Sequence, residues 1–194
     1  MENKPDFIDN LDGNSMTKAL RTVLENISEE GESINKINDQ VDEIRIATAY
    51  FSPEGFSRIS SMIKDISSIK LMLGSEPIAD NERWQKKINE SENRFFKRKF
   101  QEKLKAQEDS LRIERNHIPF SKSSRSSLRR LVDSLKAGNM QVRRYEENFL
   151  HAKAYIITSK EDQENNKNSA LIAGSSNLTA SGLSTNLELN LGCY

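Results

Sequence analysis

The chain has 194 residues, of which 35% are hydrophobic, and 29 Lys and Arg balance 29 Asp and Glu. This length allows one domain with a sizeable core. No apolar run approaches the roughly 20 residues of a membrane span, and no early apolar stretch is typical of a signal peptide. Cys193 is the single cysteine, which excludes an intrachain disulfide and a cysteine metal cluster. We therefore expect one domain over residues 1–194, cytoplasmic and without membrane contact.

The charges are unevenly distributed although their sum is zero. Residues 1–82 carry 8 Lys and Arg against 16 Asp and Glu, whereas residues 83–130 carry 15 against 6. A basic segment of this kind can bind a polyanion such as nucleic acid. It can equally be a solvated helix that faces an acidic partner or the acidic half of its own chain. Both interpretations stay open.

The first third of the chain predicts a helix followed by a β-α-β unit. Residues 1–14 are polar, and we expect them to be frayed. Apolar residues recur every three or four positions over residues 15–27, which predicts an amphipathic helix. Residues 43–51 are typical of a buried strand, and Ser52-Pro53 then starts a helix, with Ser as N-cap and Pro at the first position. A second strand over residues 69–73 predicts a parallel pair with a right-handed crossover.

Residues 81–137 predict a charged helical insertion. Aromatic residues at helical spacing are compatible with packing on the body of the domain, with the charges in solvent. The alternative is a basic ridge that contacts phosphates, formed by Arg94, Lys97, Arg98, Lys99 and Lys103. Ser123 or Ser124 is a candidate cap for the last helix of this segment, and Gly138 is typical of its C-terminal stop.

The residues that carry chemistry lie in the last quarter of the chain. A third strand over residues 140–145 leads into a strand in which His151, Lys153 and Tyr155 point to one face. Residues 169–174 predict a partner strand that would bring Ser175 and Asn177 near the histidine. A nucleophile or base, a fixed cation and neutral donors form a plausible site for a phosphate group.

Residues 185–194 alternate and predict a final strand. Asn186, Glu188 and Asn190 share one face, which would complete a polar site. The three leucines at 187, 189 and 191 share the other face, where we expect them to be buried.

His151-x-Lys153 followed by Gly174-Ser175-Ser176-Asn177 resembles the HKD motif of the phospholipase D superfamily. That superfamily includes phospholipases, nucleases and nuclease-like domains attached to helicases and restriction enzymes. The resemblance extends over residues 148–191, and residues 44–56 look like the opening of the helicase- and restriction-associated branch. It implies an α/β fold, a mixed β-sheet flanked by helices. Because the chain stops after a predicted strand, we expect it to be the N-terminal part of a longer, helicase-type protein.

The resemblance also implies a mechanism that needs no metal and no cofactor. His151 would attack phosphorus, while Lys153 and Asn177 would hold the phosphoryl oxygens with help from Ser175. Glu188 would bond the far imidazole nitrogen. The family builds its site from two HKD motifs, and this chain contains one. The resemblance therefore implies a homodimer in which the partner's histidine protonates the leaving group.

One residue departs from the family pattern, because Thr158 stands where the HKD aspartate is expected. Three functions follow as hypotheses. The first is a metal-independent phosphodiesterase, a nuclease that acts on DNA, in restriction or defence. The second is a catalytically silent module of a helicase that binds nucleic acid or dimerises, and the third is a phospholipase. DNA versus RNA and strandedness stay open at this point.

Overall fold

The computed structural model describes residues 6–27, 40–74, 98, 101–103, 105–106, 108–109, 111–113, 122–145, 150–161 and 167–193. The strands are β1 (Asp6–Ile8), β2 (Val41–Thr48), β3 (Ser68–Leu73), β4 (Met140–Arg144), β5 (Ala154–Ser159), β6 (Ser169–Gly174) and β7 (Asn190–Cys193). The helices are α1 (Met16–Ile27), α2 (Pro53–Ile59), α3 (Lys122–Ala137) and α4 (Ala180–Ser184). The described residues between 98 and 113 are also helical. None of the helices in this described part is long and apolar enough to cross a membrane.

The strands form one seven-stranded sheet in the order β1-β7-β6-β5-β2-β3-β4. Strands β2, β3 and β4 are parallel to one another, whereas the pairs β2–β5, β5–β6, β6–β7 and β1–β7 are antiparallel. The predicted mixed sheet, the β-α-β unit and the β5–β6 hairpin are confirmed. The prediction that residues 1–14 are frayed is wrong for residues 6–8, because β1 pairs with β7 at the edge of the sheet.

One face of the sheet forms the core with α1 and α2. Ile44 and Ile46 of β2 and Tyr155 of β5 are buried against it. The predicted start of α2 is confirmed: the Ser52 hydroxyl accepts a hydrogen bond of 3.0 Å from the Gly55 amide, and Pro53 follows. The helix ends at Ile59, and the apolar side chains of Met62, Ile63 and Ile66 in the turns that follow it are also buried.

Helix α3 belongs to the crossover between β3 and β4. Its C-terminal end returns to the start of β3, where the Ile69 amide donates to the Asn139 carbonyl at 2.8 Å. Gly138, with φ of +80°, ends the helix as predicted. Ser123 and Ser124 lie inside the first turn, so neither is the N-cap. The predicted insertion is therefore shorter at this end, because residues 122–137 pack against α2 and β4 as a regular element of the domain.

The leucines of the last segment lie on the exposed face of the sheet. Leu187, Leu189 and Leu191 are 75%, 62% and 44% exposed, so the prediction that they are buried is wrong. Strand β7 begins only at Asn190, and the first two leucines precede it. Alternation shows which residues share a face, but it does not show whether a second layer covers that face.

Glu43 is the centre of a charged cluster on the exposed face. Its carboxylate forms ion pairs with Arg45 and Lys70 and accepts a hydrogen bond of 3.0 Å from the Ser68 hydroxyl. The hydrogen bond from Lys70 is the main reason that the pKa of Glu43 is lowered to about 2, and Arg45 and Ser68 act in the same direction against the opposing effect of desolvation. The cluster fixes β2 to β3.

We expect Glu43→Gln to lower the free energy of unfolding by about 1–3 kcal/mol at neutral pH, because it removes charge-assisted hydrogen bonds. The folded pKa lies below the ordinary value of 4.5, so the stabilisation is complete above that pH and is lost as the pH falls towards about 2. Urea unfolding of both proteins at pH 7 and pH 3 measures this. A difference between them that is as large at pH 3 as at pH 7 would contradict the ionic origin of the effect.

Candidate active site

The site lies at the edge of the sheet where the parallel strands β2, β3 and β4 end and β5 begins. We refer to it as the site edge. Gly74 follows β3 there, and its amide donates to the Thr48 carbonyl at 2.8 Å. The Leu150 carbonyl packs so closely against Gly74 that any Cβ at that position would overlap it. This close approach places the next residue, His151, at the site edge.

His151 and Lys153 are in direct contact. The distance between His151 Nε2 and Lys153 Nζ is 2.7 Å. The lysine is buried, with 9% of its surface exposed, whereas the histidine is exposed. An ammonium nitrogen carries only hydrogens to donate, so the contact is a hydrogen bond for the tautomer in which Nε2 has the lone pair and Nδ1 has the proton. The sequence prediction that the two side chains share a face is thus confirmed, although both residues precede β5.

The loop after β6 lies beside this pair. The Gly174 amide donates to the Lys153 carbonyl at 3.1 Å, and a Cβ at Gly174 would overlap the backbone of the chain entering β7. Asn177 Oδ1 accepts from the Tyr50 amide at 3.0 Å and from the Thr48 hydroxyl at 3.3 Å. Because the oxygen is held from β2, the amide orientation is fixed. Within the described residues the two hydrogens of Asn177 Nδ2 have no partner, so they are available to an anion.

Two buried side chains, those of Asn190 and Tyr155, hold this loop by hydrogen bonds to Ser176. Asn190 Oδ1 accepts from the Ser176 amide at 3.0 Å, while its Nδ2 donates to Ser176 Oγ at 2.8 Å and to the Ile8 carbonyl at 3.2 Å. The Tyr155 hydroxyl donates to the Ser176 carbonyl at 3.2 Å. Burial raises the pKa of Tyr155 well above its ordinary value, and the charge of Glu188 adds to the effect. Tyr155 is therefore a neutral donor that holds the segment between Ser175 and Asn177.

Ser175 and Glu188 form a second polar pair. The Ser175 hydroxyl donates to the Glu188 carboxylate and accepts from the Leu189 amide at 2.9 Å. In this structure the hydroxyl proton of Ser175 is thus directed at Glu188. A hydrogen bond from His151 to Glu188 is not found among the described contacts, and the orienting role of Glu188 stays a prediction.

The proposed basic ridge is described only in part. Arg98 forms an ion pair with Glu102 one helical turn away, at 3.1 Å. Lys103 is half-buried in the same helical segment. The other ridge residues, Arg94, Lys97 and Lys99, lie outside the described residues. The ridge as a nucleic-acid contact stays a prediction.

Sequence reasoning missed the residues that hold the site in place. The sequence pattern gives Thr48 no role and places Tyr155 and Asn190 only on the faces of their strands, yet each contacts the loop of residues 174–178. The Leu178 amide donates to Thr48 Oγ1 at 3.0 Å. Thr48 and Leu178 are 130 residues apart in sequence. A local pattern contains no signal for such a contact, although the polar face predicted for residues 186–190 did include Asn190.

Thr158, which stands where the family has aspartate, lies away from these contacts. Along β5, Tyr155, Ile157 and Ser159 are buried towards the core, whereas Thr158 belongs to the alternate set and pairs with Glu43 of β2. No contact between Thr158 and His151 or Lys153 is found among the described residues.

The chain is similar to a protein family and to solved structures. The family model described as "Cardiolipin synthase, PLD-like domain" matches residues 33–194. No curated protein matches the chain. Among solved structures it is similar to NucT from Helicobacter pylori, with 13% identity, a TM-score of 0.43, and coverage of 99% of this chain and 86% of the other. It is also similar to Nuc from Salmonella typhimurium, described as a phospholipase D family member, with 12% identity, a TM-score of 0.43, and coverage of 100% and 84%. Since the family model spans most of the sequence, including every residue of the site, the chain belongs to the phospholipase D-like family.

Proposed function

We propose that this domain is a phosphodiesterase that cleaves DNA without a metal, through a phosphohistidine, in a site shared by two copies of the chain. The observation that carries the proposal is the 2.7 Å contact between His151 Nε2 and Lys153 Nζ, next to the loop of Asn177, where the Gly174 amide donates to the Lys153 carbonyl at 3.1 Å. An unprotonated imidazole nitrogen is the nucleophile, and a cation with two amide hydrogens can stabilise the charge on a phosphoryl group.

In the first step His151 Nε2 attacks phosphorus, and the bond between phosphorus and the leaving oxygen breaks. The leaving oxygen takes a proton from an imidazolium, which is the same histidine of the partner copy. In the second step that histidine, now neutral, removes a proton from water while the water oxygen attacks phosphorus. The bond from phosphorus to Nε2 breaks, and both histidines return to their starting states. Lys153 and Asn177 hold the nonbridging oxygens throughout.

Incubation of the protein with plasmid DNA, single-stranded DNA and RNA in EDTA tests the proposal. We expect cleavage of DNA that EDTA does not abolish, and the three substrates define strandedness and the sugar preference. Binding without cleavage would overturn the enzymatic proposal in favour of a silent binding module of a helicase-type protein. Release of a headgroup from phosphatidylcholine vesicles, with no cleavage of nucleic acid, would favour a phospholipase. A role in restriction or defence requires in addition that the protein cleaves foreign DNA.

A shared site makes a quantitative prediction for mixed dimers. If wild type and His151→Ala are unfolded together in equal amounts and refolded, about a quarter of the dimers contain two histidines. We expect about a quarter of the activity of the same total amount of wild type. Sites that need only one chain would retain about half. The measurement is the initial rate of cleavage, with wild type refolded alone as control. A value of one half, or a protein that is monomeric by sedimentation at assay concentration, would contradict the shared site.

A further inference from the structure

Helix α3 presents a stripe of four cations to solvent. Lys122, Arg125, Arg129 and Lys136 are all exposed. The first three are spaced by three and four residues, and Lys136 is seven residues further on, so all four lie on one side of the helix. The stripe extends about 21 Å at 1.5 Å per residue. We call these four residues the α3 stripe.

The cations of the stripe have no neutralising neighbour among the residues that the structure describes. None of the four side chains takes part in a hydrogen bond or an ion pair in the described part of the chain. Two cations of the preceding helical segment differ in this respect, because Arg98 is paired with Glu102 and Arg112 with Asp109 at 3.4 Å. Asp133 is the single acidic residue of α3. The unpaired positive charge in the described part of the basic segment is thus concentrated on this helix.

The run of α3 in the fold brings the N-terminal end of the stripe to the site edge. The helix ends near the start of β3, since Asn139 bonds to Ile69. Its 16 residues span about 24 Å, so Lys122 lies at the other end, which is the site edge. A buried contact of 3.2 Å between Ser60 and Ser127 packs α3 beside α2. Helix α2 itself begins at the site edge, where Ser52 bonds to the Leu178 carbonyl next to Asn177.

We infer that the α3 stripe binds the sugar-phosphate backbone of the nucleic acid whose reacting phosphate lies at His151. The inference rests on the proposed function and adds the path of the substrate. Helix α2 lies between Asn177 and α3. Because helices that pack side by side are separated by about 8–10 Å, the axis of α3 lies about that distance beyond the axis of α2. Duplex DNA carries one negative phosphate charge per roughly 1.7 Å of its helix axis. About a dozen phosphate charges therefore lie along a length equal to that of the stripe. Exposed, unpaired cations release counterions on such contact, and this makes binding dependent on salt.

The experiment measures binding of a fluorescent 30-base-pair duplex by anisotropy at several salt concentrations, with the chain of 194 residues. Arg125→Gln with Arg129→Gln removes two charges from the stripe. Lys64→Gln with Lys160→Gln removes two exposed charges at the opposite edge of the sheet and is the matched control. We expect the stripe variant to lose about 1.8 units of the slope of log K against log salt, and the control to keep the wild-type slope. Hydrolysis of bis(4-nitrophenyl) phosphate, which is too small to reach the stripe, should be equal in all three proteins.

The possible outcomes separate this inference from the proposed function. If wild type hydrolyses the small diester and the stripe variant binds the duplex with the same slope as the control, the stripe inference fails and the enzyme remains. If no protein hydrolyses the small diester but the slope still falls in the stripe variant, the stripe is upheld and the enzymatic proposal fails. Vesicles of phosphatidylglycerol are the competing polyanion. Loss of vesicle binding in the stripe variant, with duplex binding unchanged, would overturn the inference in favour of a lipid surface.

Discussion

Replacement of His151 by alanine should lower the rate of phosphodiester cleavage by about 10³-fold or more, because it removes both the nucleophile and the proton donor of the shared site. The side chain is exposed and its one described contact is with Lys153. The free energy of unfolding should therefore change by no more than about 0.5 kcal/mol. The measurements are kcat on plasmid DNA in EDTA and urea unfolding of the same preparations.

The other histidine of the chain provides the matched control. The sequence contains two histidines, and the second is His117, so His117→Ala should retain wild-type kcat. Wild type and His117→Ala, mixed with phosphate-labelled substrate and denatured at high pH, should carry label on the protein, while His151→Ala should not. Equal loss of activity in the two variants, or label that persists in His151→Ala, would exclude the phosphohistidine at this residue.

Replacement of Asn190 by alanine should lower the free energy of unfolding by about 2–4 kcal/mol. Asn190 is 1% exposed and makes three hydrogen bonds, so its loss leaves the Ser176 amide, the Ser176 hydroxyl and the Ile8 carbonyl buried without that partner. The same change releases the segment between Ser175 and Asn177. We expect kcat to fall by about 10–100-fold, because a displacement of about 1 Å in a catalytic group has an effect of that size.

Asn168→Ala is the control for this prediction. Asn168 lies exposed just before β6, at the end of the sheet away from the site, and its replacement should alter stability by no more than about 0.5 kcal/mol. Urea unfolding gives the stabilities, and kcat is measured where each variant is fully folded. Asn190→Ala with the stability and activity of Asn168→Ala would show that the buried amide does not support the loop.

Local patterns in the sequence predicted the elements whose cause is local. Helix α2 starts at Ser52 because a serine cap and a proline at the first position act within four residues. Helix α3 ends at Gly138 because glycine adopts the positive φ that the stop requires. The alternation of His151, Lys153 and Tyr155 predicted a shared face because the side-chain period of an extended chain is two.

The predictions that failed depended on contacts between distant parts of the chain. Residues 1–14 are mostly polar, but residues 6–8 become a strand because the edge of β7 offers them backbone partners. The leucines at 187 and 189 alternate as buried residues do, yet they are exposed, since burial depends on what packs against a face. The cap expected at Ser123 or Ser124 failed because the helix begins before them.

The sequence by itself determined which chemical groups this protein has: one imidazole next to one lysine, and a glycine-serine-asparagine loop that follows. Spacing of two residues on an extended chain was sufficient for the first pair, and the resemblance to the phospholipase D superfamily was carried by the same residues. Only the tertiary structure decided how the groups are held. Thr48 reaches Asn177 and Asn190 reaches Ile8 through hydrogen bonds between residues more than a hundred positions apart, and Asn190 also bonds to Ser176 in the loop after β6. Such bonds depend on sheet order and register, which arise from the packing of the whole chain.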